Sequence, residues 1–525
     1  MKAILSLAAL ALFAVEAAAG QQGVFVDRTA DLGLDLKNGA ACWADLDNDG
    51  RVDLCAGGVV WRNKVGKGFT RIADGLGQVV AADFDNDGFA DLFSLSSKRV
   101  YRSDSGKAFT PMAMPDLPKG SCRGACWGDF NGDGFVDLYV GGYEHWKKGL
   151  TYPDVLLLNR RGKGFDLAWT DARHRARGVT ACDLDRDGDL DVYVSNYRLQ
   201  PNVLWLNDGS GVFRDAAVAQ NALATSKGFR GGHSIGAAWG DFDNDGWIDL
   251  FAGNFAHRDR RGDQPKSRFL RNLRAEGKAA FQERGPCGVF YQESYASPAA
   301  GDYDNDGDLD VFFTTVYGTA SFGKKNHPVL FRNEGGFRFS DVAAEAGLAK
   351  LPPTYQAAWA DVDNDGDLDL ATAGRLFENQ GTGRHWLKIR LRGDGTTVNR
   401  SAIGTQVRVK LEDKTLTRQV EAGTGEGNQN ALCLHFGLGT RAAPVDLEIL
   451  WPGGDTTTLR AVEVDRVIEV VYGKRPFEKA ADGSPTATSS AAGSVSGRRP
   501  KPSGLKSVTN RSGPRNRAIR SPTRR

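Results

Sequence analysis

Short apolar runs alternate with turns rich in Gly and Asp from residue 24 to residue 383. Around the first such turn the flanks are A-A-C-W-A before and L-C-A-G-G after, followed by V-V-W-R-N-K-V-G-K-G-F over 59–69. The same order of strand, turn, strand, strand, Gly turn, strand returns along the chain, and it predicts a four-stranded antiparallel sheet per repeat. From His385 the repeat stops, and period-2 alternation over 386–391, 405–411, 431–436, 445–451 and 466–471 predicts a small β domain. At the other end, Lys2, an apolar run over 3–14 and Ala17-Ala18-Ala19 have the pattern of a secretory signal peptide over 1–19. The run is shorter than the ~20 residues a membrane-spanning helix needs.

The turns carry the chemistry. A nine-residue motif, D-x-(D/N)-x-D-G-x-x-D, occurs seven times, with starts 38, 46, 54, 58, 61 and 59 residues apart. Its oxygen-bearing positions 1, 3, 5 and 9 are Asp45, Asp47, Asp49 and Asp53 in the first copy, and Asp83, Asp85, Asp87 and Asp91 in the second. The third has Asp129, Asn131, Asp133 and Asp137, and the fourth Asp183, Asp185, Asp187 and Asp191. The fifth has Asp241, Asp243, Asp245 and Asp249, the sixth Asp302, Asp304, Asp306 and Asp310, and the seventh Asp361, Asp363, Asp365 and Asp369. Hard oxygen donors at this spacing suit Ca²⁺, which takes six to eight of them at about 2.3–2.6 Å, better than Mg²⁺. Position 7 can add its backbone carbonyl, and the carboxylate at position 9 can close the sphere bidentately. Position 6 is Gly in every copy, where the chain must take positive φ to wrap an ion. Position 12 of the first copy is Ala56 and the flanks are strands, so the loop is not an EF-hand. Up to seven structural Ca²⁺ are expected.

Seven such sheets predict a seven-bladed β-propeller. The segment F-V-D-R-T-A (25–30) resembles the end-of-repeat strand F-S-D-V-A-A (339–344), which the last repeat lacks, so residues 24–29 are expected to complete the seventh blade. Trp43, Trp127, Trp239 and Trp359 each stand two residues before a loop and are read as packing between blades.

Composition refines this picture. Sixty-five Gly favour many tight turns over long helices. The net charge of +2 hides a split: from Lys474 on, thirteen Lys and Arg face only Glu478 and Asp482, a surplus of +11 that leaves −9 on the rest. The tail over 474–525, rich in Ser, Thr, Pro and Arg, is expected to be disordered, either as a solvated end or as a basic arm for anionic surfaces. Seven Cys (42, 55, 122, 126, 182, 287, 433) fit no zinc spacing. Export permits disulfides, and Cys42 with Cys55 across one hairpin is the preferred pair, with free buried thiols the equal alternative. Two R-G-D triplets, at 261–263 and 392–394, are expected by chance in a chain rich in these residues.

The loops and the L-x-x-N-x-G-x-G-F segments resemble FG-GAP/VCBS repeats, as in integrin α-subunit propellers. H-W-L-K-I-R-L, N-R-S-A-I-G-T-Q-V-R-V, L-H-F-G-L-G and I-L-W-P-G-G resemble the UnbV/ASPIC domain. The combination is similar to the family of cartilage acidic protein and its bacterial relatives. The resemblance implies structural Ca²⁺ in the blade hairpins and binding surfaces on a propeller face. The expected protein is all-β: signal peptide (1–19), seven-bladed propeller with calcium-binding hairpin loops (24–383), UnbV/ASPIC-like β domain (384–472) and disordered basic tail. It is expected to be secreted, periplasmic or at the cell surface, and a monomer without a transmembrane segment. The expected role is non-enzymatic binding or adhesion to an extracellular glycan or protein. The alternative is a propeller lyase or hydrolase acting on polysaccharide, although no G-x-S-x-G, H-E-x-x-H or P-loop occurs. Among the scattered His, His233 is the one to test, with a structural role the simpler reading.

Overall fold

The structure, a computed structural model, describes residues 24–64, 68–259 and 262–474. The expected signal peptide and nearly all of the expected tail lie outside the described residues. Among the described residues regular structure is β, with only short 3-10 turns besides.

The repeat region forms seven four-stranded antiparallel sheets. In the fourth, the chain runs Ala176–Cys182, Asp191–Asn196, Val203–Asn207, Phe213–Asp215 in spatial order. Six sheets take their strands from one stretch of chain. The seventh combines Ala357–Ala360, Asp369–Thr372 and Arg375–Asn379 with the N-terminal strand Phe25–Asp27, in register Phe25 to Asn379. Both ends of the repeat region therefore share one sheet.

The first strand of each sheet lies beside the first strand of the next, and the series returns from the seventh sheet to the first. Small residues permit this convergence. A Cβ on Gly178 would stand 2.6 Å from the Ile235 carbonyl oxygen, and one on Gly236 would stand 2.4 Å from Ser297 Oγ. Large residues fill the wedges between sheets. The indole N–H groups of Trp43, Trp127 and Trp359 donate to Ala358, Val80 and Ala299, each in the preceding sheet. The bulk of each ring is thus buried while its polar edge is satisfied.

From His385 two further sheets form. One orders Leu434–Gly439, His385–Arg392 and Arg466–Val471, the last pair parallel. The other orders Thr415–Gln419, Gln406–Lys410, Val445–Leu450 and Thr456–Val462. Strands occur at all five expected places, the one expected over 431–436 starting three residues later as Leu434–Gly439, and Thr415–Gln419 and Thr456–Val462 are additional. Their apolar faces join one continuous core with sheets two to four, Leu387, Ile389, Val407 and Trp451 packing in the same cluster as Trp127, Leu138 and Val179.

Between those strands, residues 421–431 thread the centre of the ring. The Ala422 carbonyl accepts from Trp127 N, the Gly425 carbonyl from Val179 N and the Gln429 carbonyl from Trp43 N. The Gln429 side chain pairs with both the N–H and the C=O of Ala81, and Asn428 Oδ1 accepts from Ala41 N. Inner strands that would leave backbone groups unpaired along the axis find their partners here.

Candidate metal centres

Each nine-residue loop joins the first two strands of its sheet, as in Ala41–Ala44 and Asp53–Ala56. The loop is shaped by its own carboxylates. Position 1 accepts two backbone N–H groups: Asp45 Oδ1 from Asp49 at 3.1 Å and Asp45 Oδ2 from Gly50 at 3.0 Å. Asp83, Asp129, Asp302 and Asp361 do the same in their loops. Position 5 accepts from position 7, as Asp49 from Arg51 and Asp245 from Trp247. Position 6 takes the expected positive φ, +89° at Gly50 and +92° at Gly246. Position 4 is left-handed too, in Asn48, Asn86, Arg186, Asn244, Asn305 and Asn364 as well as Gly132.

These turns gather the expected ligands. Carboxylate oxygens lie within 4.8 Å of one another in Asp45, Asp47 and Asp49; Asp83, Asp85 and Asp91; Asp183, Asp185 and Asp187; Asp241, Asp243 and Asp249; and Asp302, Asp304 and Asp306. In the third loop Asp129 and Asn131 converge on the N–H of Asp133, and in the seventh Asp361 and Asp363 converge on that of Asp365. Position 9 departs from expectation. Instead of turning both oxygens to the cluster, Asp53 accepts from Leu46 N and Asn63 N, and Asp137, Asp310 and Asp369 make the same pair of bonds. The buried carboxylate ties the loop to the third strand, and its remaining lone pairs face the cluster at Asp91 and Asp249.

The electrostatics fit a divalent cation. Burial, with the neighbouring aspartates adding to it, pushes Asp91 up to about 9, Asp183 to about 8 and Asp83 to about 7. Asp183 Oδ1, Asp185 Oδ1, Asp191 Oδ2 and Asp241 Oδ1 are buried without a hydrogen-bond partner, the condition an ion relieves. Single cationic side chains offset part of the charge. Arg62 meets Asp47 at 3.0 Å, Arg274 meets Asp185 at 2.8 Å, Arg384 meets Asp304 at 2.9 Å, and Arg102 meets Asp85. Arg271 Nη2 meets Asp245 at 2.7 Å, and Lys388 Nζ meets Asp361 at 2.6 Å. In the first loop Arg390 adds a second cation, 3.9 Å from Asp45, and these side chains still meet only some of the carboxylates in each loop. Ca²⁺ fits these oxygen-only, partly orphaned clusters.

The Asn of the third strand was legible as a signature but not as a bridge. Asn63 Nδ2 donates to Val362 O of the seventh sheet's loop, and Asn159, Asn207, Asn272, Asn333 and Asn379 likewise reach the preceding loop through Phe84, Phe130, Leu184, Phe242 and Tyr303. Ser103 takes this place in the second sheet, and its hydroxyl accepts from Gly106 instead. Position 4 links the loops in the opposite direction, with Asn48 to Gly88, Asn86 to Gly134 and Asn364 to Gly50.

The C-terminal sheets cover this loop face. Ser401 Oγ accepts from Asp83 N, Gln419 Oε1 accepts from Asp183 N, and the Gly437 N–H donates to Asp302 Oδ2.

Cys42 and Cys55 are cross-strand partners, yet both thiols are free and buried, so the preferred disulfide gives way to the free-thiol alternative. Asp394 of the second R-G-D triplet caps a turn. The N–H groups of Val398, Thr396 and Thr397 outweigh burial and hold its carboxyl at about 2. His233 lies in the first strand of the fifth sheet, with its ring centroid 4.7 Å from that of Tyr197.

Two family models match the chain: the FG-GAP-like repeat over 83–140, 183–252 and 302–372, and ASPIC and UnbV over 395–476. The chain is an FG-GAP-like repeat protein with a C-terminal ASPIC and UnbV domain, homologous at low identity to cartilage acidic protein 1. The mouse (Mus musculus) and human (Homo sapiens) forms of that protein are each 24% identical over 436 residues, 75% of this chain and 64% and 63% of theirs. The Xenopus tropicalis form is 26% identical over 317 residues, 56% of this chain and 45% of its own. The chain thus spans less than two thirds of the length of these relatives. Among solved structures, the exotype rhamnogalacturonan lyase YesX overlaps at TM-score 0.29 and 12% identity, covering 68% of this chain and 59% of its own. The rhamnogalacturonan lyase YesW overlaps at TM-score 0.27 and 12% identity, covering 84% and 92%. Overlaps this low carry no argument about activity. Among the described residues no helix is long and apolar enough to cross a membrane.

Proposed function

We propose that the chain is an exported seven-bladed β-propeller that holds Ca²⁺ in its hairpin loops as a structural element and serves as a binding or adhesion module for an extracellular glycan or protein. One observation carries the structural half: seven loops of one design, in several of which buried carboxylate oxygens lack partners. Asp45, Asp47 and Asp49 and their counterparts supply the cluster, joined by position 9 at Asp91 and Asp249. Bound ions would offset the repulsion among carboxylates and pin each hairpin. The cyclic contact of first strands supports the propeller reading. The binding half rests on the covered loop face, which leaves the opposite face open to partners. Catalysis has less support, because the sequence carries no G-x-S-x-G, H-E-x-x-H or P-loop motif.

The test is an array of extracellular glycans and matrix proteins probed with residues 21–525, calcium-loaded and EDTA-treated. Saturable binding by the loaded chain supports the module. Binding to no ligand, or cleavage of a polysaccharide in the same samples, contradicts it.

A further inference from the structure

The open face has its own construction. Strands alternate in direction, so with the metal loops under the C-terminal sheets, the connections from second to third strand emerge on the other side. Three are long, 143–153, 256–267 and 316–328. At the axis, the threaded segment turns back at Glu426, which forms a bidentate pair with Arg177 Nη2 at 2.6 and 2.7 Å. Tyr143, Tyr197 and Tyr355 surround that guanidinium at 5.2, 5.2 and 5.5 Å. This aromatic cage is thus filled from within, and a ligand must use the rim.

The rim is aromatic and basic. From Tyr197 a band of edge-to-face rings runs through His233, His257 and Phe255 to Tyr317, with successive centroids 4.7, 5.9, 4.3 and 5.7 Å apart. Tyr317 at one end is 54% exposed, and next to Tyr197 at the other, bridged by Arg198 lying over both rings, Trp146 is 65% exposed. Trp146 is nevertheless held in place: Arg198 covers its indole at 3.6 Å and is itself fixed by Glu144 at 3.0 Å. An exposed ring already immobilised spends little entropy on binding. The loops that carry these two rings also expose Lys147, Lys148, Lys324 and Lys325. Their one carboxylate, Glu144, is buried and paired with Arg175 and Arg198.

Resting on the module reading, we infer that this rim binds an acidic polysaccharide, with the Trp146 and Tyr317 rings taking the apolar C–H faces of sugar rings and the four lysines their carboxylates or sulfates. Ring platforms supply sequence-tolerant stacking, and exposed cations of one sign supply attraction that salt weakens. Stacked nucleic-acid bases fit less well, because the band presents edge-to-face rings rather than a row of open faces.

Affinity for hyaluronate and chondroitin sulfate, with dextran as neutral control, tests the assignment on the calcium-loaded chain. Trp146→Ala and Tyr317→Ala are expected to weaken binding about tenfold each with unchanged melting curves. Lys147→Ala with Lys148→Ala is expected to flatten its salt dependence. Unchanged affinity in both ring variants overturns the choice of face and leaves the module reading standing. Equal binding to dextran, or preferred binding to single-stranded DNA or phosphatidylserine vesicles, overturns the ligand class. No binding to either acidic polysaccharide overturns this inference alone, since the array of glycans and proteins decides the module separately.

Discussion

Asp154 stands where the next repeat has an amide. It accepts from the Tyr139 hydroxyl and from Gly142 N, each at 2.7 Å, while Asn202 accepts from Asn196 N and donates to Tyr193 in the fourth sheet. Burial pushes the Asp154 carboxyl up to about 7. A raised carboxyl favours the folded state at low pH, and that advantage is lost as pH climbs from its unfolded value near 3.8 to about 7. Asp154→Asn should therefore melt like the native chain near pH 4 and above it at pH 8, the gap growing by about 1.4 kcal/mol per pH unit in between. A gap independent of pH would show that the group is not held protonated. Residues of this kind divide by what a single repeat reveals. Ligand spacing and the Gly at position 6 were legible because the loop closes on itself. The left-handed Asn at position 4 was not, because its amide answers to a carbonyl in the next repeat, far away along the chain.

Between elements, the Asn bridges decide how sheets are held side by side. Asn272 Nδ2 donates at 2.9 Å to Leu184 O in the preceding sheet and at 3.0 Å to Ile248 O in its own. Asn272→Ala would leave both buried carbonyls unpaired at a cost of about 2–3 kcal/mol, read as a lower denaturant midpoint at unchanged slope. A loss below about 0.5 kcal/mol would mean water replaces the bridge. The strands themselves were readable from apolar alternation, including the five expected beyond His385. Thr415–Gln419 and Thr456–Val462 escaped notice because Thr, Arg and Gln dominate them and give no apolar alternation.

Across the whole molecule, the ring and the C-terminal sheets share one continuous hydrophobic core. Residues 421–431, E-A-G-T-G-E-G-N-Q-N-A, have the polarity of a surface loop, and nothing in that segment announces that it fills an axis. Its polarity is what the inner strands require, since their backbone groups need partners. Glu426→Ala would strand Arg177, only 7% exposed, at a cost of about 3–5 kcal/mol. Replacing Arg177 by Met in the same chain should recover part of it, and no recovery would show that the pair is not the cause. The loops on the covered face gather carboxylates whose mutual repulsion a bound cation would offset. Calorimetric titration of the EDTA-stripped chain with Ca²⁺, followed by melting of both forms, addresses this most directly. The account predicts several bound ions per chain, up to seven, and a melting temperature well above that of the stripped form. No bound calcium, or identical melting curves, would contradict it.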